Sequence, residues 1–266
     1  MDRANLVNQI KEKKSFLCIG LDTDISKIPS FLLKEKDPIF EFNKQIIDST
    51  KDICVSYKIN TAFYEANGVD GWQSMQKTID YIPKNIFTIA DAKRGDIGNT
   101  STQYAKAFFQ NMNFDSVTVA PYMGKDSVSP FLQFEGKWAI VLGLTSNEGA
   151  FDFQYLKQND VFLFESVIKK VSEWGNEQNL MFVIGATQTE QLQRIRQIIP
   201  RHFLLIPGVG TQGGSLQQVC QYGMNEDFGI LINVSRQIIY ASNQEDFAAK
   251  AHEAALKFKK EMEVYF

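Results

Sequence analysis

Short apolar runs punctuate the chain at nearly regular intervals: SFLCIGLD, VSYKIN, IFTIADAK, SVTVAP, WAIVLGLT, LMFVIGA, HFLLIPG and GILINVS. Each has strand length and is dominated by apolar residues, many of them β-branched or aromatic, so each predicts a β-strand. Between them the apolar spacing lengthens to that of a helix, as over 38–52, 99–112, 160–176, 187–200 and 243–265. Nearly continuous apolar strands imply a sheet covered on both faces, which is the condition of a parallel sheet wrapped by helices. Eight such units predict a single-domain (β/α)8 (TIM) barrel over residues 1–266, with a doubly wound open sheet as the alternative. A further amphipathic stretch, 5–14, precedes the first strand and could close the barrel floor. There is no low-complexity tract, linker or long repeat to suggest a second domain.

In a parallel barrel the reacting groups sit at the C-terminal strand ends. Here those ends are polar: Asp22 after the first run, Lys58 and Asn60 in the second, Asp91 and Lys93 in the third, Thr145 and Ser146 after the fifth, Ser235 and Arg236 after the eighth. Strand alternation puts Lys58 with Asn60, and Asp91 with Lys93, on a common face. Any one of these taken alone reads best as a solvated loop charge, but agreement among five strands argues for a pocket. If Lys58, Asp91, Lys93 and Asp96 meet there, each ammonium stabilises its neighbouring carboxylates and Lys93 is kept protonated, a proton donor held in place. A lysine between carboxylates also occupies the position a divalent cation would neutralise, so the pattern does not suggest a metal.

Composition narrows the possibilities without adding chemistry. With 44% apolar and 22% charged residues and no eighteen-residue apolar stretch, a soluble globular protein is expected. The opening segment lacks the apolar core of a secretory signal, which predicts a cytoplasmic location and no membrane partner. A net charge of −3 and a pI near 5.6 offer no overall attraction for nucleic acid. Cys18, Cys54 and Cys220 are scattered and odd in number, so buried thiols are expected instead of disulfides or a cysteine metal site. His202 at the start of the seventh run and His252 in the last helix are poorly placed for catalysis.

The stretch PGVGTQGG, residues 207–214, contains GxGxxG at Gly208, Gly210 and Gly213. A dinucleotide fold is disfavoured because the next strand ends in Ser235 and Arg236, where an acid would bind a ribose hydroxyl, and because the motif comes late. Glycine loops after the seventh and eighth strands of a barrel bind phosphate, and Gln212 and Arg236 can add an amide donor and a guanidinium fork. A monophosphate site is the preferred reading.

The stretch DAKRGDIGNT carries the DxKxxD arrangement as Asp91, Lys93 and Asp96. With GLD, KIN, LTSN, PGVGTQGG and NVSR in order along the chain, the sequence resembles the orotidine 5′-phosphate decarboxylases, specifically their longer bacterial and parasite branch. The resemblance implies a cofactor-free homodimeric barrel that converts orotidine 5′-phosphate to UMP, the last step of de novo pyrimidine synthesis. It further implies that Lys58, Asp91 and Lys93, with Asp96 of the partner subunit, form the charge network, and that Lys93 protonates C6. Asp22 and Thr100 of the partner subunit would hold ribose hydroxyls, with Asn60 in support, while Ile97 joins the substrate contacts. Thr145 and Ser146 would meet the pyrimidine edge. Gln212 and Arg236, with Gly208 and Gly210, would meet the phosphate. One departure is Glu148, where many relatives carry proline, which affects the stiffness of that loop. The alternatives are a magnesium-dependent keto-sugar phosphate decarboxylase or hexulose phosphate synthase, against which Lys58 argues because those enzymes need a carboxylate there, and a barrel that binds nucleotides without catalysis.

Overall fold

Each apolar run becomes a parallel strand: β1 Leu17–Gly20, β2 Ser56–Asn60, β3 Phe87–Arg94, β4 Ser116–Val119, β5 Trp138–Leu144, β6 Leu180–Ile184, β7 Phe203–Pro207 and β8 Ile230–Val234. The computed structural model describes residues 1–187, 189–210 and 214–266. Consecutive strands are hydrogen-bonded neighbours, and β8 pairs with β1, so the sheet closes into a barrel and not an open doubly wound sheet. Closure removes both sheet edges. The strands are buried along nearly their whole length because helices cover the outer face and side chains fill the interior.

A helix follows every strand, in order Pro38–Thr50, Gly68–Tyr81, Gly98–Lys106, Lys125–Leu132, Leu163–Ser172, Thr189–Ile198, Leu216–Gly223 and Phe247–Met262. The first starts where the sequence invites it: the Asp37 side chain accepts from Phe40 N and Pro38 occupies the first turn. Three helices lie outside the spans named from the sequence: the short Leu216–Gly223, and two that contain residues that weaken a helical pattern. Gly68–Tyr81 contains Gly71, where a Cβ would lie 1.9 Å from the Tyr64 carbonyl oxygen, and Lys125–Leu132 contains Pro130. The helix expected over 160–176 is shorter. Asn159 and Asp160 both take positive φ, 50° and 63°, turning Lys157–Gln158 back against Val161–Phe162 as a small hairpin. The helix over 99–112 ends its regular part at Lys106 and continues as a π-turn, Ala107–Asn111.

The N-terminal helix, Arg3–Lys13, closes the floor as expected. The nearly buried Arg3 donates to the Glu177 and Arg201 carbonyls and to the Asp227 carboxylate, joining the segments that lead into β6, β7 and β8. Burial pushes the Cys18 and Cys220 thiols up to about 12 and that of Cys54 up to about 11, so these are inert packing groups. No helix among the described residues is long and apolar enough to cross a membrane.

His202 also belongs to this floor. Its ring lies 5.7 Å from that of Phe182, and neither buried ring nitrogen has a hydrogen-bond partner. Burial, opposed by Glu177 and reinforced by Arg196 and Arg3, lowers its pKa to about 4. Because the unfolded histidine titrates near 6.5, the unfolded chain binds the extra proton first, and stability falls as pH drops from that value towards 4. The contribution lost by pH 5 is about 2 kcal/mol. Urea unfolding of His202→Leu and wild type at pH 7 and pH 5 tests this, and the variant should show a pH loss smaller by that amount. An unchanged difference between the two pH values would remove His202 from the acid response.

Candidate active site

Three adjacent strands deliver the charged side chains to the open end of the barrel. After β1 the chain keeps pairing, Leu21 N donating to the Lys58 carbonyl at 2.8 Å, which brings Asp22 beside β2. Alternation along β2 turns Lys58 and Asn60 inward. Lys58 Nζ donates to Asp22 Oδ1 at 3.0 Å and to Asp91 Oδ2 at 2.9 Å, and Lys93 Nζ donates to Asp91 Oδ1 at 2.6 Å. The result is a row of alternating charge, Asp22, Lys58, Asp91, Lys93.

The two lysines differ in setting. The Lys58 side chain is 5% exposed and that of Lys93 is 49% exposed. Burial alone would lower the Lys58 pKa, but the Asp22 and Asp91 carboxylates reverse this and raise it. Burial would likewise raise that of Asp91, and the Lys58 and Lys93 ammoniums outweigh it, holding the carboxyl well below its usual range. Lys58 and Asp91 are therefore both ionised at neutral pH, and the reachable end of the row is Lys93.

Simple alternation does not account for Lys93. The β3–β4 register shifts between Ala90 and Arg94, and Lys93 has φ 46°, in the left-handed region that a side chain rarely occupies. A bulge re-aims the lysine back over Asp91. Thr118, on β4, accepts from Lys93 N at 2.9 Å and donates to Asp91 Oδ1 at 3.0 Å. Sequence reasoning missed this residue, although a lone hydroxyl pair in the run SVTVAP was the available signal.

Asp22, Lys58, Asp91 and Lys93 line a cavity of about 340 Å³. Around the row stand Asn60, Thr145, Ser146, Gly208 and Arg236. Gln154 shapes the Thr145 side: it accepts from Thr145 N and donates to Thr145 Oγ1, both at 2.8 Å. Gly208 and Gly210 turn the chain after β7 with φ 98° and 79°, a conformation in which glycine carries no Cβ penalty. Gly210 stands outside the cavity lining, where a Cβ would meet the Gln237 amide at 2.7 Å. Gln212 lies outside the described residues.

Asp96, Ile97 and Thr100 do not line the cavity of their own chain. The supposition that Asp96 meets the other three charges within one barrel is thus corrected: the chain has already turned outward, and Asp96 Oδ1 accepts from Ile97 N at 2.7 Å. Ile97 is 56% exposed.

A closed parallel barrel with a row of alternating charge at its C-terminal strand ends and a glycine turn after β7 has the layout of a (β/α)8-barrel enzyme. The profile of the orotidine 5′-phosphate decarboxylase / HUMPS family matches residues 15–251. The orotidine 5′-phosphate decarboxylase of Flavobacterium johnsoniae is 63% identical over 98% of this chain and 97% of its own, and that of Christiangramia forsetii 59% identical over the same shares. Among solved structures, the Leishmania donovani OMP decarboxylase superposes with a TM-score of 0.84 at 34% identity, covering 99% of both chains. This chain belongs to the orotidine 5′-phosphate decarboxylase / HUMPS family.

Removing the central cation leaves two carboxylates facing each other in a largely dry site. Lys58→Met should therefore lower stability by about 3 kcal/mol at pH 7, read by urea unfolding. A loss below about 0.5 kcal/mol, the range of an ordinary surface change, would mean that Lys58 does not hold the carboxylates together.

Proposed function

We propose that the chain is a cofactor-independent carboxy-lyase that converts orotidine 5′-phosphate to UMP, the last step of de novo pyrimidine synthesis. The carrying observation is the Lys93 ammonium, fixed 2.6 Å from Asp91 at the reachable end of a row of alternating charge inside the cavity. Loss of CO2 leaves an electron pair on C6 of the pyrimidine, in an orbital with no conjugated sink. A fixed ammonium stabilises that charge as it develops and then transfers a proton to C6. Lys93 ends the turnover neutral and regains a proton from water, so the substrate gains one proton and loses one CO2. Lys58 holds Asp91 ionised and directed at Lys93, and its ammonium fills the space between carboxylates that a divalent cation would need.

The remaining assignments belong to the same reading. Arg236 and the backbone around Gly208 and Gly210, with Gln212, take the phosphate. Ser146 and Thr145 take the pyrimidine edge, while Asp22 and Asn60 face the ribose. The enzyme works in the cytoplasm as a homodimer, in which Asp96, Ile97 and Thr100 of the partner subunit complete each cavity. Support comes from their outward position and from exposed apolar side chains on the same side: Ile97, and Met123, whose Cε lies 3.8 Å from where a Gly95 Cβ would be.

Turnover of orotidine 5′-phosphate by the pure protein, followed by absorbance, tests the reading. Activity should survive exhaustive EDTA treatment. Loss on chelation with recovery on adding Mg2+ would move the chain to the metal-dependent sugar-phosphate branch. Lys93→Ala should still bind UMP but lose turnover by roughly three powers of ten, because charge stabilisation and protonation disappear together. A variant that keeps a tenth of the rate would exclude Lys93 as the acid.

The shared site has its own test. Lys93→Ala and Asp96→Ala subunits, each nearly inactive, should regain about a quarter of wild-type activity when mixed equally and allowed to exchange at random. Half the dimers are then mixed, and each has one intact site. Exchange demonstrated by mass without recovery would assign Asp96 to its own subunit.

A further inference from the structure

The two groups that the proposed reaction uses at its centre, the Asp91 carboxylate and the Lys93 ammonium, lie in the irregular part of β3. Ala90 pairs with Val117 and Arg94 with Val119, so Asp91, Ala92 and Lys93 lie opposite Thr118 alone. A bulge of this kind leaves backbone groups without ladder partners. One of them, Lys93 N–H, is taken by the Thr118 side chain at 2.9 Å. Lys93 is also held at φ 46°, a strain that persists only when its surroundings impose it. The ordinary ladder resumes at once, Ala120 N donating to the Arg94 carbonyl at 2.8 Å. Arg94 in turn clasps the bulge from outside, donating to the Ala92 carbonyl at 3.0 Å and to the Glu65 carboxylate.

The Thr118 hydroxyl has one proton and is fully buried. Because its oxygen accepts from Lys93 N–H, that proton is left to Asp91 Oδ1, 3.0 Å away. One hydroxyl thus fixes both the backbone that aims Lys93 and the oxygen to which the Lys93 ammonium is bonded.

We infer that Thr118 is the positioning residue of the proton donor: through paired hydrogen bonds to Lys93 N–H and Asp91 Oδ1 it sets the direction of the Lys93 ammonium within the cavity. The inference rests on Lys93 being the acid. Thr118 touches no substrate and need not affect binding. Its contribution lies in the approach of an ammonium to a carbon, where an error of about 1 Å costs on the order of 100-fold in rate.

Thr118→Val keeps the shape and removes both hydrogen bonds, whereas Thr118→Ser keeps them. The measurements are kcat and KM for orotidine 5′-phosphate, UMP affinity and thermal midpoint, for both variants and wild type. The valine variant should lose kcat by about 100-fold, with KM and UMP affinity within about threefold of wild type. The serine variant should keep kcat within about threefold. Valine at near wild-type kcat, or serine as impaired as valine, overturns the assignment. So does a valine variant whose UMP affinity and thermal midpoint fall together with kcat, since that is a packing effect. If the valine variant does not fold, Thr118→Ala is read by the same criteria. Wild-type protein without turnover would instead defeat the decarboxylase reading, an outcome separate from any of these.

Discussion

The Lys58 ammonium is taken out of water between two carboxylates, and such an arrangement persists only if both are fixed within hydrogen-bond reach on opposite sides. That requirement reaches far into the fold. Asp22 comes from the segment after β1, Lys58 from β2 and Asp91 from β3, so three strands must be in register before the charges can meet. A parallel barrel supplies this, because every strand end opens on the same rim and closure leaves no edge at which the register can slip. The floor helix acts on the opposite rim, where Arg3 ties together the segments entering three other strands.

Once Lys58 is buried, the two lysines have separate tasks. Lys58 is enclosed, with carboxylates on both sides and its pKa raised, so it serves as a fixed counter-charge. Lys93 is half exposed in the cavity and bonded to a single carboxylate, so its ammonium can face a bound molecule without leaving a charge unpaired. The carboxylate between them transmits the constraint. Held from one side by Lys58 and from the other by Thr118, Asp91 presents Oδ1 to Lys93 in a direction set before any substrate arrives. Electrostatic groups ordered in advance need no reorganisation during the reaction, which is where they gain most over water.

Much of this was legible in the chain. The strands announce themselves because both faces are buried and the runs are almost wholly apolar, and period two alone placed Lys58 beside Asn60 at the cavity. Lys93 reached its expected neighbour by a different route, a left-handed residue in a bulge, which alternation cannot foresee. Thr118 was passed over for the same reason: a threonine in a strand reads as β-propensity, and its hydroxyl acquires a task only once the register beside it shifts. The helices at Gly68–Tyr81 and Lys125–Leu132 escaped because Gly71 and Pro130 lower local helix propensity while tertiary packing restores the helix. Asp96 was seen as part of the motif, but its distance from its own cavity depends on where the chain turns outward, and that turn has no residue pattern of its own.

The bulge also explains how adjacent positions in one strand can serve opposite ends of the same problem. In a regular strand Asp91 and Lys93 would stand on the same face about two residues apart, and both long axes would point inward side by side. The left-handed turn at Lys93 folds the lysine back, so that its ammonium closes on Asp91 while its stem remains at the mouth of the cavity. The strained conformation is held from both sides, by Thr118 within the barrel and by Arg94, whose guanidinium bonds to the Ala92 carbonyl and lies over the Tyr104 and Phe108 rings. Strain at this position is thus confined to one residue, and the groups that confine it are the groups that give the ammonium its direction.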